Sequence, residues 1–139
     1  MVPETSVCLV DDDISSLSVM KLIIFGMGIV NIESFTDARQ AWSYIRDGAP
    51  GVIVSDWNMD PMSGLELLAL VRKSEITHDI PFIMVTANTS ENYWRRAIKE
   101  GASDFLFKPF ALSALRGAVE IALESSGKPV DRAARRLRL

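Results

Sequence analysis

The sequence predicts an α/β fold: a doubly wound, five-stranded parallel sheet with five helices packed on its two faces. Three observations predict it. Five short apolar runs alternate with five stretches whose apolar residues recur three and four apart, the connections between them are short, and acids, a threonine and a lysine stand at the ends of the runs. Strands separated by helices lie parallel and are covered on both faces, with right-handed crossovers. Closing such units into a barrel takes about eight of them, so these form an open sheet, whose ligands bind beyond the carboxyl ends of the strands.

Val7 to Val10 ends in acids and reads as the first strand; Ile14, Leu17, Met20 and Ile24 follow at helical spacing and are expected to share one buried face. Ile29 to Phe35 alternates as the second strand. Thr36 is the expected N-cap of a helix carrying Ala38, Ala41, Trp42 and Ile45, which Gly48 stops. Val52 to Val54 is the third strand, ending at Ser55 and Asp56; turn-forming residues run to Gly64, and Leu65, Leu68 and Val71 line the third helix. Pro81 to Val85 is the fourth strand. Ser90 is placed to cap a helix carrying Trp94, Ala97 and Ile98 up to Gly101. Phe105 to Phe107 forms the fifth strand before Lys108 and Pro109, and Leu112, Leu115, Val119 and Ala122 mark the fifth helix.

At 139 residues and 48% hydrophobic content the chain is sized for one domain, expected over 1–126. Residues 128–139 hold Lys128, Arg132, Arg135, Arg136 and Arg138 against Asp131, a net +4 that leaves −7 on the first 127 residues. Segment 127–139 is therefore read as a flexible basic tail outside the core. No stretch reaches the roughly 18 apolar residues of a membrane span, and the N-terminus lacks a signal-peptide layout, so no membrane span and a cytoplasmic location are expected. Cys8 lies alone in an apolar run, which excludes a disulfide within the chain, and His78 has no second histidine or thiol with which to share a transition metal.

Asp11 and Asp12 follow the first strand directly and Asp56 closes the third, so neighbouring strands would bring three carboxylates together. Converging acids repel, and a hard divalent cation such as Mg2+, or Mn2+, relieves them. Such a site suits a carboxylate nucleophile that accepts a phosphoryl group, with the Thr86 hydroxyl and the Lys108 ammonium aimed at phosphoryl oxygens. An aspartate run after a strand is by itself usually a solvated loop, and a lone lysine a surface charge; their ordered co-occurrence carries the reading.

The segment SDWNMDPMSGLELL around Asp56, the string MVTA ending at Ala87 and the string GASDFLFKPF holding Lys108 stand in this order. Together they resemble the response-regulator receiver domains of bacterial two-component signalling, CheY-like stand-alone regulators in particular, over residues 6 to 125. The resemblance implies a flavodoxin-like sheet in the order 2-1-3-4-5. It implies that Asp56 accepts a phosphoryl group from a histidine kinase or phosphotransfer protein, with self-phosphorylation and autodephosphorylation that depend on Mg2+. Asp11, Asp12, Asp56 and the Asn58 backbone carbonyl would hold the metal; Thr86 and Lys108 would contact the phosphoryl group. Ala87 would keep access open, Asn58 and Asn88 would tune the phosphoryl lifetime, and Phe105 would be the switch aromatic coupled to Thr86. Asp60 stands where the family often has proline, and Phe105 lacks the hydroxyl of a tyrosine.

The expected product is a signalling receiver and not an enzyme, with output through protein contacts of the fourth helix, fifth strand and fifth helix, as a monomer or a phosphorylation-dependent dimer. A DNA-binding module would need far more chain than follows the fifth helix. Two rival readings make different demands on the sequence. An aspartyl-phosphate hydrolase would need an acid two residues after the nucleophile, where Asn58 stands. A pseudo-receiver would bind partners without phosphorylation, and the intact acids, Thr86 and Lys108 count against it. A dinucleotide site is disfavoured because VDDDIS replaces the glycines that would follow the first strand.

Overall fold

The computed structural model describes residues 5–124; the expected basic tail lies outside the described residues. Five parallel strands, β1 (Ser6–Val10), β2 (Asn31–Phe35), β3 (Val52–Asp56), β4 (Phe82–Thr86) and β5 (Asp104–Phe107), pair in the order β2-β1-β3-β4-β5. Between and after them run α1 (Ile14–Phe25), α2 (Ala38–Gly48), α3 (Gly64–Lys73), α4 (Glu91–Glu100) and α5 (Leu112–Glu124). The predicted fold class and strand order are those observed.

Strand alternation divides the core in two. Cys8, Val10, Ile53, Phe82 and Met84 point to one face, under α2, α3 and α4; Val7, Leu9, Val52, Val54, Ile83 and Val85 point to the other, under α1 and α5. Both faces are apolar because both are covered, which is why β3 and β4 are buried at every position. The chain leaves β1 outward to β2 and returns to β3 on the other side, so a crevice opens where Asp11 and Asp56 end their strands.

Several local expectations shift. The N-cap of α2 is Asp37 and not Thr36, because the carboxylate accepts the Arg39 N–H at 2.9 Å and also pairs with its guanidinium. That helix runs through Gly48 and ends at Ala49, left-handed at φ 43°, because Pro50 follows and disfavours a helical residue before it. Ser90 is the N-cap residue of α4 as expected, its carbonyl accepting the Tyr93 N–H, but its side chain makes no capping hydrogen bond; its own N–H donates to Asn88 Oδ1. Ile14 and Leu112 are 70% and 54% exposed, since each opens its helix beyond the strand ends, leaving the next turns to bury Leu17 and Leu115. Helix α1 carries apolar residues on both sides: Leu17, Met20 and Ile24 face the sheet, while Val19, Leu22 and Phe25 are exposed among Ser18 and Lys21.

Candidate functional site

Asp11 is fully buried just past β1, tied down by its own N–H to Phe35 O. Its Oδ1 accepts the Asp13 N–H at 2.9 Å, and Asp13 in turn caps α1 by accepting from the Ser15 N–H and the Ser16 hydroxyl. The third aspartate of the run is thus a helix cap, which leaves Asp11 and the exposed Asp12 to face the crevice. Asp56, the last residue of β3, is 8% exposed and its Oδ1 accepts the Trp57 N–H at 2.9 Å. Trp57 also gives that N–H to Val85 O, and its carbonyl accepts from Gly64 N–H. A Cβ on Gly64 would run into the Asp56 carbonyl oxygen, so the loop after the acceptor closes only on glycine.

Carboxylate oxygens of Asp11, Asp12 and Asp56 lie within 4.8 Å of one another. From the other side Lys108 Nζ reaches Asp11 Oδ2 at 2.6 Å and stands 3.7 Å from Asp56 Oδ2, with Ser16 Oγ at 3.5 Å. Its backbone is anchored by its N–H to Thr86 O, and the following bond to Pro109 is cis, as is Asp60–Pro61. Thr86 is buried at the end of β4, its hydroxyl accepting the Asn88 N–H at 3.0 Å. Asn58 and Ala87 are exposed. A cleft of about 470 Å3 lined by Ser15, Ser16, Met20, Ala87, Lys108 and Phe110 opens beside this group.

Burial, then the charge of Asp11, pushes the Asp56 carboxyl up to about 6, against the opposing pull of Lys108 and the Trp57 N–H. Burial acts to lower the Lys108 ammonium, but its hydrogen bond to Asp11, with the charges of Asp56, Asp11 and Asp13, outweighs that and raises it. One ammonium thus faces three acids and is committed mostly to Asp11. The cluster is short of positive charge, and its donors are all hard oxygens at one end of the sheet. A divalent cation that takes oxygen ligands fits it.

Sequence reasoning placed Asp11, Asp12, Asp56, Thr86 and Lys108, and the structure brings all five to one end of the sheet. It did not anticipate Ser16 beside Lys108, Gly64 beneath Asp56, or the aromatic contacts of Trp57 and Phe105. Trp57 meets Tyr93 in a tilted ring contact at 4.6 Å; half-buried Phe105 stacks on Trp94 at 5.7 Å and meets Phe107 edge-on at 5.2 Å. The DWN string next to the acceptor was the available signal for Trp57. Its ring partner Tyr93 lies on α4, far along the chain, which spacing alone does not reveal. His78 lies apart, half exposed beside Asp79.

A family model described as the response regulator receiver domain matches residues 7–120. The chain belongs to this family. Among curated relatives of the receiver, the chemotaxis protein CheY of Pseudomonas aeruginosa is 29% identical over 114 residues, covering 82% of this chain and 92% of that one. The phosphate regulon transcriptional regulatory protein PhoB of the same organism is 31% identical over 122 residues, and the receiver spans about half of its length, 53%. Among solved structures, the chemotaxis response regulator CheY4 of Vibrio cholerae superposes with a TM-score of 0.79 at 29% identity, covering 86% of this chain and 98% of that one. The receiver is thus of the CheY type used in two-component signalling. Among the described residues no helix is long and apolar enough to cross a membrane.

Proposed function

We propose that this receiver takes a phosphoryl group onto Asp56 from the phosphohistidine of a histidine kinase or phosphotransfer protein, and signals through phosphorylation-dependent protein contacts. The observation that carries this is the convergence of Asp11, Asp12 and Asp56 within 4.8 Å, with Lys108 bridging toward both Asp11 and Asp56. An Asp56 carboxylate oxygen attacks phosphorus as the P–N bond breaks, and the imidazole leaves; water later attacks the acyl phosphate and restores the carboxylate. Asp11, Asp12, Asp56 and the Asn58 carbonyl would hold Mg2+ or Mn2+, which supplies charge neutralisation for the acceptor and the incoming group.

The chain's own groups do the rest. Lys108 is already poised over both acids, and its ammonium follows the negative charge as it moves onto the phosphoryl oxygens. Exposed Ala87 leaves the approach open, and Asn58 and Asn88 flank it and modulate the lifetime. Thr86 gives up the Asn88 N–H and turns its hydroxyl toward the phosphoryl group. Space vacated by Thr86 shifts the packing of Phe105, whose face is shared with Trp94 of α4. That change reaches the α4–β5–α5 surface, where the output partner binds, as a shift between two preexisting populations.

Incubation with acetyl phosphate and Mg2+, read by intact mass, tests the reading. One base-labile phosphoryl adduct is expected on the wild type and none on Asp56→Ala. Absence of any adduct on the wild type with acetyl phosphate and with a phosphorylated phosphotransfer domain would overturn it.

A further inference from the structure

Helix α4 is lightly anchored: Ala97 is its one buried residue, and Ser90 gives it no side-chain cap. Rings hold its first turns in place. Tyr93 lies on Trp57 with centroids 4.6 Å apart, and one turn further on the Arg96 guanidinium sits 6.0 Å from the centre of the same indole. Neighbouring Arg95 addresses a different ring, Trp94, at 5.2 Å. Trp57 is 6% exposed and its backbone is fixed at both ends: N–H to Asp56 Oδ1 and to Val85 O, carbonyl from Gly64 N–H. One residue therefore has its ring on α4 and its amide on the carboxylate at the centre of the site.

We propose that Tyr93 and Arg96 are positioning residues for the acceptor: they clamp the Trp57 ring and, through the Trp57 N–H, hold the Asp56 carboxylate in its reactive orientation. This rests on the reading of Asp56 as the phosphoryl acceptor. The clamp is a route between Asp56 and α4 separate from the one through Thr86 and Phe105. It runs along β3 and the loop after it, while the other runs along β4 and β5. Because coupling of two sites is reciprocal, a ligand that displaces Tyr93 loosens Asp56, and a group bound at Asp56 that shifts the Trp57 amide loosens α4.

The test uses the full chain, acetyl phosphate and saturating Mg2+, with phosphorylation rates read by intact mass. Tyr93→Leu, which removes the ring, is expected to lower the maximal rate about three- to tenfold without changing the half-saturating donor concentration, and Tyr93→Phe, which keeps the ring, to restore it. Arg96→Met is expected to slow the reaction about twofold, and Arg95→Met to leave it at the wild-type rate. A wild-type rate for folded Tyr93→Leu, a Tyr93→Phe variant as slow as Tyr93→Leu, or equal slowing by the two arginine variants would overturn the clamp. If Tyr93→Leu does not fold, the arginine pair decides. A wild type that takes no phosphoryl group would overturn the acceptor reading itself, and the clamp with it.

Discussion

Lys108 lies 2.6 Å from Asp11 and 3.7 Å from Asp56, so the lysine pairs with both acids and sits closer to the fully buried one than to the candidate acceptor. Asp11 has no solvent exposure, and removing its partner leaves a buried carboxylate beside two others. Lys108→Met is expected to destabilise the fold by about 2 to 3 kcal/mol at pH 7, less than a fully buried pair would because Lys108 is partly exposed. Urea denaturation measures this. Added Mg2+ should recover more stability in the variant than in the wild type, and an equal gain in both would count against the shared site.

Asp56 gives a stability prediction with a definite sign. Its folded carboxyl titrates near 6, above the ordinary 3.8, so the folded state favours the protonated form. Its contribution is fully present below pH 3.8 and is lost as pH rises through 6. Asp56→Asn fixes the neutral form and keeps an acceptor for the Trp57 N–H. In chelator-treated buffer it should be more stable than the wild type by about 1 to 2 kcal/mol at pH 7. The gain should shrink to nothing below pH 4. A gain independent of pH would show that another cause is at work.

Thr86 is the hydroxyl whose present partner is known: it accepts the Asn88 N–H at 3.0 Å. Thr86→Ser keeps that acceptor and should phosphorylate at the wild-type rate. Thr86→Ala should slow incorporation about fivefold, the equivalent of one neutral hydrogen bond. Stopped reactions quantified by mass separate the two.

Phe105 and Trp94 stack at an interplanar angle of 4°. Phe105→Ala should cost about 2 kcal/mol of stability, since the ring is only half buried, yet leave phosphorylation largely intact. Loss of phosphorylation-dependent partner capture is the expected phenotype, and loss of phosphorylation instead would sink the packing switch.

Gly64 is the most constrained glycine in the site, because a Cβ there would strike the Asp56 carbonyl oxygen and come within 3.0 Å of Trp57 Cα. Gly64→Ala should destabilise by more than about 2 kcal/mol and slow phosphorylation, since backbone must move and no flexible side chain can yield. Thermal unfolding and the mass assay report the two effects separately.

The alternation of runs and the polar ends of Val7–Val10, Val52–Asp56 and Phe82–Thr86 made the sheet and its acidic end legible, because strand burial and site chemistry are both written locally. The Asp37 cap and the Ala49 stop were misread by one residue each, where two plausible neighbours compete and tertiary fit chooses. Ile14 has the spacing of a core residue and the position of an overhang, and periodicity sees only the former. Trp57, Tyr93 and Arg96 meet across two elements, and Ser16 meets Lys108 across 92 positions, so no local pattern could announce them.

Cys8, the chain's one cysteine, is fully buried in β1, and burial, then the charge of Glu33, pushes its thiol well above the ordinary range. The native protein is therefore expected to resist alkylating reagents. A cysteine introduced at an exposed position would be labelled alone, without removal of the natural one. Reaction at Cys8 itself would count openings of β1, an interior strand of the sheet, a chemical clock for global unfolding that needs no added probe.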